Sequence, residues 1–405
     1  MVKKDPVIVY IVGQYPSYSE GFIANEIATL RKRNVQIKVL SLHRGPIELA
    51  VDEGVIYDCA LVSMDKIQAQ FSLIQKIGFT YFVLLARTAA SSGASPLAFL
   101  RNIKYFFSSV YFVQQVNRLP VRHIHAHFLS TPTSVAAIMS DLMAIPFSAT
   151  GHAHDIYTTQ ESELIKKITA AQLIITCTQF NKAYLKGLVL PKFQDKLHHI
   201  YHGIDLGHWK WKSRNPDLAK KEVVQILLIG RFVEKKGIIY LLQALAALKG
   251  SAYTIECRII GGGELYSAYQ KFMEEHALTQ TVYLHGALKQ EELTYYYNQA
   301  DIFVLPCLVA SNGDRDGLPN VLLEALALGL PVITTAVSAI HELIEQEHTG
   351  LTVPEKDADA LATAILRLIK DSELYAHLSL HGRSKVEQFN IDRSTDQLIH
   401  IFSAR

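Results

Sequence analysis

The chain has 405 residues, too long for one hydrophobic core, and this length implies two domains that each bury a sheet of their own. With 40 Lys and Arg against 38 Asp and Glu the net charge is +2, which excludes bulk nucleic-acid binding and confines any anionic partner to local basic patches. The four cysteines, Cys59, Cys177, Cys257 and Cys307, lie far apart with no C-x-x-C pair, and read as reduced, mostly buried thiols of a cytoplasmic protein.

Residues 7–12, VIVYIV, are cut off by Gly13 and are too short for a signal sequence or a membrane span, so they predict a first strand. A loop over residues 13–22 follows. Next comes a helix with Ile23, Ile27 and Leu30 at helical spacing, then the strand VQIKVLSL. Strand, loop, helix and strand make a βαβ unit, hence a parallel sheet with right-handed crossovers. Ligands of such sheets bind at the carboxyl ends of the strands, so the loop that starts at Gly13 should line a cleft. Residues 67–118 are the least regular part. Within them Phe99, Ile103, Phe106, Phe107, Val110 and Val113 run beside Arg101, Lys104 and Arg118, and two readings stay open: an amphipathic helix lying in a membrane interface, or a core helix.

His123, His125 and His127 alternate and share one face of a strand. Three imidazoles invite zinc, but no fourth ligand accompanies them at a suitable spacing. His127, nearest the carboxyl end, is expected to approach the cleft. One strand later His152 emerges after Thr150-Gly151 at the start of a loop. The polar, aperiodic run WKWKSRNPDLAKKE reads as a linker between the domains, and VVQILLIG opens the second.

Directly after that strand come Gly230, Arg231 and Lys236-Gly237. Two cations five residues apart on a Gly-flanked loop are within reach of one diphosphate. The triple glycine 261–263 lacks the full G-x-G-x-x-G pattern and is not a dinucleotide fingerprint. Residues 314–331, DRDGLPNVLLEALALGLP, predict a loop closing into a helix that is stopped by Gly329 and Pro331. A helix entered through Gly317, Leu318, Pro319 and Asn320 offers free N–H groups and a positive dipole end to a phosphate. Asp316 stands before the helix, and Glu324 within it can accept hydrogen bonds from the hydroxyls of a ribose. The Asp314-Arg315-Asp316 triplet also spells D-x-D, a metal motif, which is discounted because Arg231 and Lys236 already supply the counter-charge.

These motifs resemble the retaining glycosyltransferases of family four. Asp316 and Glu324 match the family's Glu-x7-Glu signature, with Asp in the first place; Arg231 and Lys236 match R-x4-K-G; His152-Ala153-His154-Asp155 and the flanks of Asp316 are similar to a branch that builds exopolysaccharides such as colanic acid. Ser19-Glu20-Gly21-Phe22 and Tyr201–Asp205 resemble the family's SETF and NGVD segments, the latter where the chain leaves the first domain. The resemblance implies a GT-B fold of the α/β class, with two doubly wound Rossmann-like domains facing a central cleft. Residues 1–205 would form the acceptor-side domain, 206–384 the nucleotide-sugar domain, and a helix at about 385–405 would pack back on the first.

The implied reaction is transfer of a hexose, with retained anomeric configuration, from a UDP- or GDP-linked donor to a hydroxyl of a glycan or lipid-linked acceptor. No metal and no cofactor beyond the donor are expected. His152, Asp316, Arg231 and Lys236 are the implied catalytic residues. Gly13, Gly230, Arg231, Lys236, Gly286, Gly317, Leu318, Pro319, Asn320 and Glu324 are the implied donor contacts, with His285-Gly286 near the nucleobase. A cytoplasmic location, with peripheral contact at the anionic inner face of the membrane, follows from the same likeness. A nucleotide-sugar 2-epimerase, a phosphorylase, and a binding protein without turnover are the alternatives.

Overall fold

The computed structural model describes residues 5–17, 20–46, 54–90 and 95–403, and the chain divides into two compact units. The first takes the residues up to Cys177, Lys182–Ile200 and the tail from Gln397; the second takes Thr178–Asn181 and Tyr201–Asp396.

Among the described residues, unit 1 is built on seven strands, β1 (Val7–Tyr15), β2 (Gln36–Arg44), β3 (Ile56–Tyr57), β4 (Val121–His127), β5 (Phe147–Gly151), β6 (Leu173–Thr176) and β7 (Leu197–His199). All pair in parallel, in the order β3-β2-β1-β4-β5-β6-β7. Its helices are α1 (Gly21–Lys32), α2 (Met64–Ile77), α3 (Phe79–Ala90), α4 (Pro96–Val116), α5 (Thr131–Met143), α6 (Ala153–Thr158), α7 (Glu161–Ala170), α8 (Gln179–Leu188), whose start up to Asn181 falls in unit 2, and α9 (Pro191–Gln194). The unbroken apolar run of β1 has a simple cause. Val9 and Ile11 enter the core shared with α4 and α5, while Ile8, Tyr10 and Val12 enter a second core on the other face with Ile23, Ile27 and Leu30 of α1. A strand covered on both faces has no polar side to show.

Unit 2 carries β8 (Val224–Ile229), β9 (Ile255–Ile260), β10 (Val282–His285), β11 (Ile302–Leu305), β12 (Val332–Thr335) and β13 (Leu351–Val353), in the parallel order β10-β9-β8-β11-β12-β13. Around it lie α10 (Ile238–Ala247), α11 (Tyr266–Glu275), α12 (Gln290–Gln299), α13 (Asn320–Ala327), α14 (Ala358–Lys370) and α15 (Ser372–Val386). The last helix, α16 (Ile391–Ser403), begins in unit 2 and ends in unit 1, where Leu398 and Phe402 join the core of Ile8, Tyr10 and Val12. Counted within its own unit, the sheet of unit 2 runs 3-2-1-4-5-6 and that of unit 1 the same with a seventh strand added after the sixth, the doubly wound order whose switch point lies between the first and fourth strands. In unit 1 that point is β1/β4, and in unit 2 it is β8/β11.

Three expectations change. Strand β1 runs on to Tyr15, so Gly13 sits within it rather than opening the loop, and Ser19 lies outside the described residues. The run taken as a linker is docked on unit 2: Trp209 is buried against Tyr297, and the Arg214 guanidinium donates to the carbonyls of Tyr297, Ala300 and Leu328. Charge density there reflects a cation answering the orphan carbonyls at the ends of α12 and α13, not solvation. Most of the described residues of the irregular stretch 67–118 belong to the three helices α2, α3 and α4, and α4 divides along its length. Phe106, Val110, Phe112 and Val116 are core, whereas Leu97, Phe99 and Leu100 are exposed beside exposed Arg101 and Lys104.

Candidate active site

In unit 2 the switch point gathers charge. After β8 the chain makes a tight turn at Glu234–Lys236 and enters α10 through Gly237, whose φ is +62°. A Cβ there would lie 1.9 Å from the carbonyl oxygen of Pro306, so only glycine lets the turn approach the end of β11. The turn aims two adjacent lysines at the loop after β11. Lys236 Nζ donates to Asp316 Oδ2 at 2.6 Å; Lys235 Nζ donates to Asp314 Oδ1 at 3.0 Å and lies 3.5 Å from Asp316 Oδ1. Burial opposes ionisation of both Lys236 and Asp316, and their mutual attraction outweighs it, holding the lysine above and the carboxyl below their ordinary ranges. Glu234 accepts hydrogen bonds from the N–H and Oγ of Ser311 and so fixes the loop that presents Asp314 and Asp316. Arg231 is exposed at the start of the turn.

Past this cluster Gly317, Leu318 and Pro319 lead into α13, where Asn320 begins the first turn. Glu324 lies one turn further on. Tyr297 Oη of α12 donates to Glu324 Oε2 at 2.8 Å, and burial pushes the Glu324 carboxyl up to about 7. At the end of β10, His285 Nε2 is buried and makes no hydrogen bond, next to exposed Gly286. One end of this unit therefore offers two lysines and an arginine, two carboxylates tied to the lysines, the N-terminus of α13, and the buried carboxyl of Glu324.

Unit 1 answers with imidazoles. His152 caps α6, with its backbone N–H given to Asp155 Oδ1 at 2.8 Å, and its ring lies near those of Phe22 and Phe128, at 5.1 and 4.2 Å between centroids. His152 Nε2 faces His127 Nδ1 at 3.4 Å, and His127 Nε2 faces Glu26 Oε1 at 3.2 Å. The carboxylate makes Nε2 of His127 the proton-bearing nitrogen and leaves its Nδ1 to accept from His152. Asp155 also accepts from the N–H of Leu129; burial pushes its carboxyl up to about 7 against these donors. The zinc reading of the three alternate histidines fails on geometry. His125 spends both ring nitrogens on Ser148 and Thr150, and His123 uses Nε2 on Ser148.

Residues 210–385 match the family described as Glycosyl transferases group 1. This stretch is a glycosyl transferases group 1 domain. The amylovoran biosynthesis glycosyltransferase AmsK of Erwinia amylovora is 38% identical over 200 residues, covering 49% of this chain and 48% of AmsK. The capsular polysaccharide biosynthesis glycosyltransferase CapM of Staphylococcus aureus is 30% identical over 241 residues, 58% of this chain and 57% of CapM. The chain thus spans about half the length of the curated relatives it matches. Among solved structures, Anabaena HepE in complex with UDP and glucose matches with a TM-score of 0.73 at 16% identity, over 98% of this chain and 100% of HepE. That likeness shows the fold, which is the GT-B fold of two Rossmann-like domains.

Within the group 1 domain, Arg231, Lys236, Asp316, Gly317 and Glu324 all fall at the β8/β11 switch point, and Gly286 directly follows β10, the strand beyond β9. Sequence reasoning missed Lys235, which shares the carboxylates with Lys236, and Tyr297, which holds Glu324. Lys235 had a signal, since adjacent residues converge when a turn is as tight as Glu234–Lys236. Tyr297 had none, because its bond to Glu324 spans 27 residues and two separate helices. In unit 1 the missed residues are Glu26 and Asp155, the partners of His127 and of the His152 backbone.

Proposed function

We propose that the chain transfers a hexose from a UDP- or GDP-linked donor to a hydroxyl of a glycan or lipid-linked acceptor in polysaccharide biosynthesis, with retention at the anomeric carbon and without a metal ion. The observation that carries this reading is the cluster of Lys235, Lys236, Asp314 and Asp316 beside the N-terminus of α13, with Glu324 following. When the bond from the anomeric carbon to the diphosphate breaks, negative charge grows on the leaving oxygen. Lys236 and Arg231 are assigned to that charge, the largest electrostatic demand of the step. The diphosphate competes with Asp316 for Lys236. Asp316 keeps lone pairs beyond those used by the lysines and is assigned to the donor sugar's hydroxyls.

Glu324 takes the ribose hydroxyls, Gly317, Leu318 and Asn320 take phosphate oxygens through backbone N–H groups, Pro319 sets the entry to the helix, Gly230, whose own N–H is given to the carbonyl of Ile260, lets the diphosphate pass beside Lys236, and Gly286 lies at the base. Gly13 and His152 of unit 1 are assigned to the sugar, with His127 and Glu26 fixing the tautomer of His152. The leaving phosphate receives the acceptor's proton. The D-x-D carboxylates are already neutralised by lysines, which supports a metal-free site. Peripheral contact with an anionic membrane through α4 is part of the same reading.

The test is transfer from a panel of nucleotide sugars to lipid-linked acceptors in excess chelator, with the anomeric configuration of the product read by NMR. Turnover is expected to persist, and Lys236→Ala is expected to lower kcat by about 100- to 1000-fold. Activity lost on chelation and restored by magnesium or manganese overturns the roles of the cations. A strict need for free phosphate, or a free sugar nucleotide as product, replaces the transferase by a phosphorylase or an epimerase.

A further inference from the structure

Three histidines of unit 2 that take no part in the proposed site stand together at its surface. His377 and His381 lie four residues apart on α15, so their rings share one helix face. The turn before β13 brings His348 to the same place. The ring centroids of His377 and His381 are 3.9 Å apart, and those of His348 and His381 4.6 Å. One ring nitrogen from each lies within 4.8 Å of the other two.

The geometry is closer to a ligand set than to chance stacking. His348 Nδ1 and His377 Nε2 are 3.3 Å apart. Two nitrogens each about 2.0–2.1 Å from a tetrahedral zinc ion are separated by about 3.3–3.4 Å. His381 Nδ1 lies 2.9 Å from the carbonyl oxygen of His377 and must donate to it, so the lone pair of His381 is on Nε2. A metal-ligating histidine is commonly held by a backbone carbonyl in this way. Both supports are rigid. The His348 turn is closed by the Glu345 N–H on Thr349 Oγ1 at 2.8 Å and by Thr349 Oγ1 on the carbonyl of Leu343 at 2.9 Å, with Thr349 buried. The other face of α15 is anchored by buried Tyr375 and Leu378, and by Ser379 Oγ on the carbonyl of Gly329 at 2.6 Å. His348 and His377 are exposed and His381 half-buried, so packing does not explain why three imidazoles converge.

We propose that His348, His377 and His381 form a surface site for a first-row transition-metal dication, zinc foremost, with water completing the tetrahedron. Imidazole nitrogens suit zinc, copper and nickel and are poor ligands for magnesium or calcium. Because the three rings come from two segments, the ion binds the folded unit only. It staples the Glu345–Thr349 turn to α15 and raises the unfolding temperature of the chain by mass action. The site is independent of the transfer chemistry, since none of its ligands is assigned to the donor.

The test uses tag-free, chelator-treated full-length protein titrated with zinc chloride by calorimetry, and with cobalt chloride by visible absorption. One equivalent of zinc, the bands of four-coordinate cobalt, and a higher unfolding temperature with zinc are expected. His348→Ala, His377→Ala and His381→Ala should each weaken zinc binding more than about 10-fold. The exposed control His276→Ala should leave it unchanged. Absence of saturable binding by the wild-type chain overturns the proposal, as does zinc affinity that survives all three substitutions. The cobalt spectrum of the wild type decides the coordination even if a variant folds poorly.

Discussion

The two units share one strand order and differ in what they place at the switch point. In unit 2 the loops after β8 and β11 bring fully ionised groups into contact, and Lys236 and Asp316 stay charged because each is the other's partner. In unit 1 the ends of β4 and β5 bring together imidazoles, with Glu26 the carboxylate that orients His127. The topology supplies the position and the side chains supply the chemistry. Phosphate needs fixed positive charge, and in unit 2 Lys235 and Lys236 supply it. The units differ again at the surface: α2, α3 and α4 expose Phe71, Phe79, Phe82, Leu97 and Leu100, and unit 2 has no comparable run among the described residues.

The largest effect expected concerns how those helices are held. Lys66 of α2 is 1% exposed and donates to Asp58 Oδ1 at 2.7 Å, to the carbonyl of Cys59 and to Ser108 Oγ of α4, which in turn donates to Asp58 Oδ2. Removing the cation in Lys66→Met leaves a buried carboxylate without its partner, a loss of about 3–5 kcal/mol. Hydrogen exchange should show α2 and the end of α4 opening while the core of unit 2 keeps its protection. Adding Asp58→Leu should restore most of the protection. A silent Lys66→Met would mean that apolar packing alone ties α2 to α4.

A smaller effect separates binding from stability in unit 2. The Glu324 carboxyl, at about 7 in the folded chain against an ordinary 4.5, binds its proton more tightly when folded. Its contribution is therefore full below about pH 4.5 and is lost as pH rises through 7, by on the order of 3 kcal/mol. Glu324→Gln should accordingly melt higher than the wild type at pH 8, with the difference shrinking towards pH 5. The same variant should bind nucleotide more weakly, because the ribose hydroxyls lose an anionic acceptor worth about 1–3 kcal/mol. Unchanged melting at pH 8 would place the carboxyl in contact with water; unchanged nucleotide affinity would remove it from the ribose.

Legibility in the sequence followed the same division between the units. The parallel strands could be read because apolar runs such as VIVYIV and VVQILLIG are covered on both faces. Arg231, Lys236, Asp316 and Glu324 could be read because each pair lies within one turn or one helix start. Residues 209–222 were misread because Arg214 satisfies carbonyls from residues 83 to 114 positions away, a partnership without local trace. The helices of 64–116 were obscure for a physical reason. Their apolar residues divide between a core face and an exposed face, so the periodicity that marks an amphipathic helix is blurred. Tyr297 and Glu26 were unreadable because a single long-range hydrogen bond has no sequence pattern.

That blurred periodicity carries the last and smallest prediction. No single helix among the described residues is long and apolar enough to cross a membrane, and α2 with α3 reaches that length only across a bend of 119°. Yet Leu97 is 81% exposed, Phe79 80% and Leu100 63%, with Arg101 and Lys104 exposed on the same part of α4. Arg101 also lines a cavity of about 740 Å³ between α3, α4, α5 and α7, where Arg87 and Lys166 are paired with Asp141 and Glu163, so Arg101 and Lys104 are the cations that adjoin the apolar residues. A surface of this kind suits an anionic bilayer, where apolar side chains enter the interface and each cation contributes about 1 kcal/mol. Flotation with vesicles containing anionic lipid should show binding that falls with salt. Arg101→Gln with Lys104→Gln, together about 2 kcal/mol, should lower the partition coefficient about 30-fold. Leu97→Ser with Leu100→Ser should weaken binding and leave its salt dependence intact, since the two contributions are separate. Binding that ignores both pairs while the fold is unchanged would assign the exposed face of α4 to a contact other than the membrane, and the contrast with unit 2 would then rest on the switch points alone.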